Sequence, residues 1–290
     1  MTMTAYQQTN KIDLTPDQLA KLQELELKIL LEFDRICRKH SIQYFLGGGT
    51  LLGAVRHGGF IPWDDDVDVM MLPEEYEKLR KVLPDELSDE FFYQTRGTDP
   101  EYHSTFDKIR LKGTTFDTNF SRQYDLKCHG IFIDIFVHDR ICKGRTQEKI
   151  HIYKTLFSRS LVKHKWGGTP MQFYGKFPLL CKFATVYKNH KDIRKLEKKE
   201  MKLITKYNRK DTGLLYDGRG EHTRHGSFAE DILLDGAVYI PFNGVDLPVP
   251  KRYDEYLKFS YGKDYMQLPP ESERCPGHDL AVLDFGPYAN

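Results

Sequence analysis

Residues 63–69, WDDDVDV, place four carboxylates within five positions of the chain. Val67 and Val69 alternate with Asp66 and Asp68, and residues two apart in a strand point to the same face. The pattern predicts a strand that buries both valines and projects both carboxylates together. Two adjacent carboxylates form a hard-oxygen site suited to Mg²⁺ or Mn²⁺. An acidic turn that holds no metal is the competing interpretation.

A third carboxylate, Asp134, lies inside the apolar run 131–137, IFIDIFV, which predicts a buried strand. Burial of an unpaired carboxylate is costly, so Asp134 needs a partner. In one interpretation, a nearby arginine or backbone amides pair with its carboxylate. The other makes it a third ligand beside Asp66 and Asp68. Three carboxylates on two neighbouring strands can hold one or two divalent ions that bridge a phosphate and an attacking oxygen.

A glycine-rich segment, residues 47–50 (GGGT), separates an apolar run from a short helical pattern over residues 51–56. Glycines let backbone N–H groups approach a phosphate, and a helix N-terminus adds positive partial charge. Thr50 can cap the helix and donate to a phosphate oxygen, while Arg56 and His57 can meet phosphate charge. A tight turn is the alternative, and the segment is not a P-loop. Its place shortly before the acidic run favours phosphate binding.

The elements that must position these residues are also visible in the pattern. Thr15, Pro16 and Gln18 form a capping box with a proline at the first helical position, which predicts a helix to about Lys39. Further patterns predict a strand over 42–46, a helix from Pro73 to about Leu83, mostly helix over 147–210 and a helix near 253–261. Together they predict an α+β (mixed α/β) fold.

Composition narrows the class of protein. The chain has 290 residues, 40% hydrophobic and 29% charged, and a net charge of +1, which excludes a chain-wide basic field for nucleic acid. Five scattered cysteines without a C-x-x-C pair predict free thiols, and a zinc site built around Cys275 and His278 is not favoured. Neither a signal-peptide order nor an apolar run of membrane-spanning length is present, so we expect a cytoplasmic protein.

Charge is unevenly distributed. Residues 143–210 hold 19 Lys/Arg and 4 Asp/Glu, a net charge of +15 that leaves −14 for the rest. This basic insert divides the chain into a catalytic core (1–142), the insert (143–210) and a C-terminal α+β part that completes the core (211–290). The insert is a solvated helical face, a nucleic-acid surface or a membrane-surface element. Lysines interleaved with aromatic residues favour contact with an anionic membrane.

Three motifs resemble one family. Residues 44–69, YFLGGGTLLGAVRHGGFIPWDDDVDV, closely resemble the signature of the LicD family, relatives of fukutin within the nucleotidyltransferase-fold superfamily. Residues 130–136, GIFIDIF, are similar to its third-carboxylate strand, and residues 261–270, YGKDYMQLPP, to its closing motif. The resemblance spans about 18–279. It implies a nucleotidyltransferase-like core with a mixed β-sheet flanked by helices.

The resemblance also implies a reaction. It is the transfer of phosphocholine, or a related phospho-alcohol, from a CDP-linked donor to a glycan hydroxyl, with release of CMP. The acceptor would be a teichoic-acid or lipopolysaccharide precursor. Asp66, Asp68 and Asp134 would bind Mg²⁺ or Mn²⁺ and form the catalytic centre, with Asp134 also a candidate general base. The donor would contact Gly48, Gly49, Thr50, Arg56, Trp63 and Asp65, and Asp64 would support the site.

A choline head needs an aromatic cage, for which Trp63 is the preferred candidate. The other candidates are Phe60, Tyr44, Tyr124 and Trp166. A lipid-linked acceptor would bring the protein to the inner face of the plasma membrane as a peripheral protein. No binding of nucleic acid is expected. Two other functions stay open: a nucleotidyltransferase that transfers NMP to a small-molecule hydroxyl, and a catalytically silent glycan- or membrane-binding protein.

Overall fold

The computed structural model describes residues 11–167, 192–220, 223 and 225–289. Within these ranges the chain forms seven α-helices and twelve β-strands. The helices are α1 (Pro16–Lys39), α2 (Gly48–His57), α3 (Pro73–Glu86), α4 (Arg145–Lys165), α5 (Ile193–Ile204), α6 (Asp231–Leu234) and α7 (Tyr253–Tyr261). The strands are β1 (Phe45–Leu46), β2 (Asp68–Met71), β3 (Phe91–Gln94), β4 (Asp107–Leu111), β5 (Thr115–Thr118), β6 (Phe132–Val137), β7 (Asp139–Arg140), β8 (Leu214–Tyr216), β9 (Ser227–Ala229), β10 (Ala237–Phe242), β11 (Val245–Pro250) and β12 (Leu280–Asp284).

Helix α1 begins where the capping box predicts. The Thr15 hydroxyl accepts from the Gln18 amide at 3.2 Å, and the Gln18 side chain accepts from the Thr15 amide at 3.0 Å. Apolar residues at helical spacing, among them Leu22, Ile29 and Phe33, are fully buried. The helix lies against β4 and β6, so one face of the central sheet is covered by its apolar stripe.

The central sheet has five strands in the order β1-β2-β6-β4-β3. Strands β2 and β6 are parallel, and the other neighbouring pairs are antiparallel. The described residues therefore form a mixed sheet with flanking helices, which confirms the mixed α/β class. In the register of this sheet Asp134 of β6 lies between Asp68 of β2 and Lys108 of β4. Paired residues on neighbouring strands share a face, so these three side chains come together.

Three smaller sheets surround the central one. Strands β10 and β11 form a hairpin, β12 pairs with β5, and β7, β8 and β9 form a third sheet. Helix α2 packs on β2 and on β10. In the basic insert, α4 packs against α5, and residues 168–191, which include several of the interleaved aromatic residues, lie outside the described ranges. No helix among the described residues has the length and apolarity that a membrane crossing requires.

Three predicted elements differ from the structure at their ends. The strand predicted from the alternation of residues 66–69 begins at Asp68, so Asp66 and Val67 precede β2. Strand β1 contains Phe45 and Leu46 alone, and α2 begins at Gly48 rather than at residue 51. Gly47 is the extended N-cap residue of α2, so the next two glycines already lie within the helix. Gly58 ends the helix in the left-handed conformation, with φ of +70°. The three-part division of the chain stays a prediction.

Candidate active site

Three predicted carboxylates line one cavity. Asp66 and Asp68 belong to the segment that enters β2, and Asp134 projects from the parallel neighbour β6. The Asp134 amide donates to the Val67 carbonyl at 2.8 Å, which fixes the register of the two strands. The cavity measures about 340 Å³ and is also lined by Gly47 and Gly48. We call it the acidic cavity, because Asp217 brings a fourth carboxylate to its wall.

The first turn of α2 is attached to β2 at Asp68. The Gly47 amide donates to the Asp68 carbonyl at 2.9 Å, and the Asp68 amide donates to the Thr50 hydroxyl at 2.8 Å. A Cβ atom on Gly48 would lie 2.4 Å from Oδ2 of Asp68, and one on Gly49 would lie 2.8 Å from Oδ2 of Asp64. The glycines therefore make room for carboxylates, and Thr50 holds the backbone of Asp68.

Burial and mutual repulsion disfavour the charged forms of these carboxyls. Burial raises the pKa of Asp66 to about 6 and that of Asp64 to about 8, and neighbouring carboxylates add to both shifts. The pKa of Asp68 is raised well above its usual value by burial and then by Asp66 and Asp134. A divalent cation would relieve this repulsion and accept the hard oxygens as ligands, so the donor set fits Mg²⁺ or Mn²⁺.

A second grouping of carboxylates overlaps the predicted one. Among the described residues, Asp64, Asp65 and Asp66 each offer an oxygen within 4.8 Å of the other two. Asp65 is already engaged, since it accepts from the amides of Gly277 and His278 at 2.8 and 3.2 Å and from Nδ1 of His278 at 3.2 Å. Although burial opposes it, the hydrogen bonds from His278 and Gly277 hold the pKa of Asp65 below its usual value.

Asp65 therefore fastens the C-terminal loop beside the site. It is fully buried and does not belong to the lining of the acidic cavity, whereas its partner His278 does. Burial lowers the pKa of His278, but the hydrogen bond to Asp65 and the charge of Asp66 outweigh burial and raise it. Sequence reasoning missed His278 in this role, because more than two hundred residues separate it from Asp65.

Lys108 is a second residue that sequence reasoning missed. Its Nζ donates to Oδ1 of Asp134 at 2.5 Å and lies 3.3 Å from the centre of the Phe132 ring. Burial lowers the pKa of Lys108 to about 8 against the opposing pull of Asp134. The alternation of Lys108 and Arg110 with apolar residues in β4 was the available signal for a charged strand face.

Arg56 and Trp63 do not belong to the lining of the acidic cavity. Arg56 Nη1 donates to the carbonyls of Tyr265 and Gln267 at 3.1 and 3.3 Å, so it fastens the C-terminal segment. The Trp63 ring contacts the guanidinium of Arg274, 5.6 Å from the ring centre. Of the predicted donor contacts, Gly48 belongs to the lining, and Gly49, Thr50, Arg56, Trp63 and Asp65 do not.

The aromatic wall of the acidic cavity comes from residues that the sequence did not single out. Tyr44 donates to the buried Asp34, Phe60 packs on Phe242, and Tyr124 packs on Trp166. None of these predicted cage residues belongs to the described lining. The rings that line the cavity are instead Phe106, Phe136, Phe228, Tyr256, Phe259 and Tyr261.

Comparison with known proteins identifies relatives of this chain. The family described as "LicD/FKTN/FKRP, nucleotidyltransferase domain" matches residues 41–166, which include β2, β6 and their carboxylates. The lipopolysaccharide cholinephosphotransferase LicD of Haemophilus influenzae is 31% identical over 262 residues, which cover 87% of this chain and 92% of that protein. The chain belongs to the LicD family. The resemblance of its motifs to that family is thereby confirmed.

A shorter stretch of this LicD-family chain resembles eukaryotic proteins. The ribitol 5-phosphate transferases FKRP of Mus musculus and Homo sapiens are each 46% identical over 53 residues, 17% of this chain and 11% of those proteins. The names of these relatives thus give two different phospho-alcohols, and that of the Haemophilus influenzae protein gives lipopolysaccharide as its acceptor. Homology supports a phosphotransferase that joins a phospho-alcohol to a glycan.

Proposed function

We propose that this LicD-family protein transfers phosphocholine from a CDP-linked donor to a hydroxyl of a cell-surface glycan precursor. The observation that carries the proposal is the convergence of Asp66, Asp68 and Asp134 on one cavity beside the glycine-rich start of α2. The cholinephosphotransferase of Haemophilus influenzae, similar along most of the chain, supports the choice of phospho-alcohol and of a lipopolysaccharide-type or teichoic-acid acceptor.

Asp66, Asp68 and Asp134 would hold Mg²⁺ or Mn²⁺ through their oxygens. When bound, the ion supplies positive charge that stabilises the transferring phosphoryl group and the leaving oxygen. Gly48 would receive the donor phosphates, since it lines the cavity at the N-terminal end of α2, whereas the Gly47 amide is engaged by the Asp68 carbonyl. The N–H groups of a first helical turn have no partner within the helix and point outward from its end.

The bond changes follow from the donor. The acceptor oxygen attacks the β-phosphorus, a new phosphorus–oxygen bond forms, and the bond between the β-phosphorus and the bridging oxygen breaks to release CMP. The proton of the acceptor hydroxyl passes to Asp134. Lys108 donates to Oδ1 of that carboxylate and fixes its orientation, so it acts as a positioning residue.

The lining of the acidic cavity favours a cationic alcohol. Its described residues include four carboxylates and six aromatic rings of Phe and Tyr, together with His138, His225 and His278, and no lysine or arginine. A trimethylammonium group is attracted to aromatic faces and to negative charge, whereas a neutral polyol such as ribitol or glycerol gains neither attraction. The wall formed by Phe228, Tyr256 and Tyr261, with Asp217 nearby, is the candidate choline subsite.

A ligand screen tests the donor. The full chain is heated with Mg²⁺ and CDP-choline, CDP-ribitol, CDP-glycerol, CTP or ATP, and released CMP and pyrophosphate are measured with choline-free lipopolysaccharide or teichoic acid as acceptor. A ligand that binds only the folded state at 100 times its Kd adds about 2.7 kcal/mol of stability. We expect the largest shift and CMP release with CDP-choline, and loss of both in Asp68→Asn.

Other outcomes select the alternatives. Pyrophosphate release with a nucleotidylated acceptor would identify a nucleotidyltransferase that transfers NMP. Absence of any metal-dependent donor binding would indicate a catalytically silent glycan-binding protein. A larger shift with CDP-ribitol than with CDP-choline would assign the polyol donor and reject the choline subsite.

We also propose that the protein works in the cytoplasm and contacts the inner face of the plasma membrane, where a lipid-linked acceptor would lie. The support is the net charge of +15 on residues 143–210. Sedimentation with anionic and with neutral vesicles at low salt tests this contact. Binding to the anionic vesicles alone is expected, and no binding to either rejects it.

A further inference from the structure

A second cavity, about 570 Å³ in volume, also includes Asp134 in its lining. It is formed between β4 and helix α4 of the basic insert, and it meets the acidic cavity at Phe106, Asp134 and His278, which line both. We call it the basic cavity. The carboxylate of Asp134 therefore lies where the two cavities meet, and its partner Lys108 lines the basic cavity alone.

The two cavities have opposite charge. The described lining of the basic cavity holds five cations, Arg96, Lys108, Arg110, Arg159 and Lys163, against the two carboxylates of Asp134 and Glu200. His103, also in the lining, is affected by these positive charges. Burial and then the charges of Arg96, Lys108 and Lys163 lower its pKa to about 3, so its ring is neutral. The acidic cavity attracts a cation, and the basic cavity attracts an anion.

The basic cavity also presents polar atoms to a ligand. Oγ of Ser160 and Nδ1 of His103 are buried and form no hydrogen bond with any residue that the structure describes. Ser160 is only 4% exposed. Buried polar atoms are nearly always hydrogen-bonded in folded proteins, so these two suit the hydroxyls of a bound molecule. Phe116, Phe120 and Phe132 supply apolar surface in the same lining.

We infer that the basic cavity is the acceptor site and that it takes a sugar bearing an anionic group such as a phosphate. This inference rests on the proposed function. Gly48, proposed for the donor phosphates, and Asp66 and Asp68, proposed for the metal, line the acidic cavity alone, and Asp134 lines both cavities. An acceptor hydroxyl that enters from the basic cavity meets Asp134, its proposed proton acceptor, before it reaches the donor phosphorus.

The inference gives the basic insert a chemical role. Helix α4 contributes Arg159, Ser160 and Lys163 to the cavity. Arg159 is already bonded to the Gly220 carbonyl and to the Thr223 hydroxyl, so it forms part of the wall. Lys163 is exposed at the rim and suits the first contact with an anionic group. Its replacement therefore tests ligand binding with little disturbance of the fold.

The test compares Lys163→Glu with Lys154→Glu, the same charge reversal on an exposed lysine of α4 outside the lining. Glucose 6-phosphate, galactose 6-phosphate and N-acetylgalactosamine 1-phosphate are titrated calorimetrically beside their neutral sugars, with Mg²⁺ and CMP present so that no transfer occurs during the titration. We expect at least one sugar phosphate to bind about tenfold tighter than its parent sugar. Lys163→Glu should weaken that binding about five- to tenfold, as for one lost phosphate contact, while Lys154→Glu changes it little.

The outcomes separate this inference from the proposed function. Absence of any preference for sugar phosphates, equal binding in Lys163→Glu, or competition between sugar phosphate and CDP-choline would overturn the acceptor site while donor binding persists. Absence of Mg²⁺-dependent CDP-choline binding would overturn the proposed function, and the acceptor assignment with it. Lys163→Gln, which removes the charge without reversing it, should give an intermediate loss and guards against misfolding of the first variant.

Discussion

Replacement of Gly48 by alanine should damage the active site far more than the fold. Gly48 has φ of +46°, and a Cβ atom there would lie 2.4 Å from Oδ2 of Asp68. That contact is about 0.6 Å short of the 3.0 Å that real Cβ atoms keep, so the carboxylate must move. Gly58 is the matched control. It has φ of +70° at the other end of α2, and a Cβ atom added there would meet nothing within 4 Å among the described residues.

Both substitutions place alanine in the left-handed region, at a cost of roughly 1–2 kcal/mol. Only Gly48→Ala also displaces a proposed metal ligand, and a 1 Å misplacement in an active site costs about 100-fold in rate. We expect both variants to melt a few degrees below the parent. CMP release should fall roughly 10- to 100-fold in Gly48→Ala and stay within about twofold in Gly58→Ala. Equal activities in the two variants would refute the view that this glycine makes room for Asp68.

Three further predictions concern the buried charges. Burial raises the pKa of Asp66 to about 6 and that of Asp64 to about 8, so the metal-free protein should lose stability as pH rises from about 4 through these values. The increase in Tm that Mg²⁺ causes should therefore be larger at pH 8 than at pH 5.5. An increase in Tm that does not depend on pH would contradict this prediction. Asp65→Ala leaves the donors of His278 unpaired, so urea unfolding should show that the free energy of unfolding falls by about 3 kcal/mol. Limited proteolysis should then cut near the loop that contains His278. Unchanged stability would contradict the anchoring role of Asp65. Burial, and then the nearby aspartates, raise the pKa of Glu26 well above its usual value, which favours its neutral form. Glu26→Gln keeps a neutral side chain of the same shape, so it should change the free energy of unfolding by less than about 1 kcal/mol near pH 7. A loss above about 2 kcal/mol would show that the charged form is needed.

Local sequence signals predicted most helices and strands, and they predicted that Asp68 and Asp134 lie on neighbouring strands. The capping box fixed the start of α1, and the predicted helix at 253–261 coincides with α7. The apolar run around Asp134 predicted a buried strand, and the parallel register with β2 then brings Asp134 to Asp68. Such features depend on residues a few positions apart, where hydrophobic period and capping chemistry decide the structure.

The walls of the cavities could not be predicted in the same way. Phe228 and Tyr261 reach the acidic cavity from parts of the chain far from β2, and Lys108 reaches Asp134 through the register of β4. Strand alternation gives the face of a side chain but not the neighbouring strand. The Thr50 hydroxyl was predicted for a phosphate, and in the structure it accepts from the Asp68 amide. The donor assignment of Thr50 and of the other contacts stays a prediction.

Binding of Mn²⁺, followed by electron paramagnetic resonance, tests the central claim most directly. The account predicts that the parent protein binds Mn²⁺ and that Asp68→Asn and Asp134→Asn each weaken this binding at least about tenfold while the proteins stay folded. Asp65→Asn, whose carboxylate is engaged by His278, should keep most of the affinity. Unchanged Mn²⁺ binding in Asp68→Asn and Asp134→Asn, with binding lost in Asp65→Asn, would place the ion among Asp64, Asp65 and Asp66 and contradict the proposed centre.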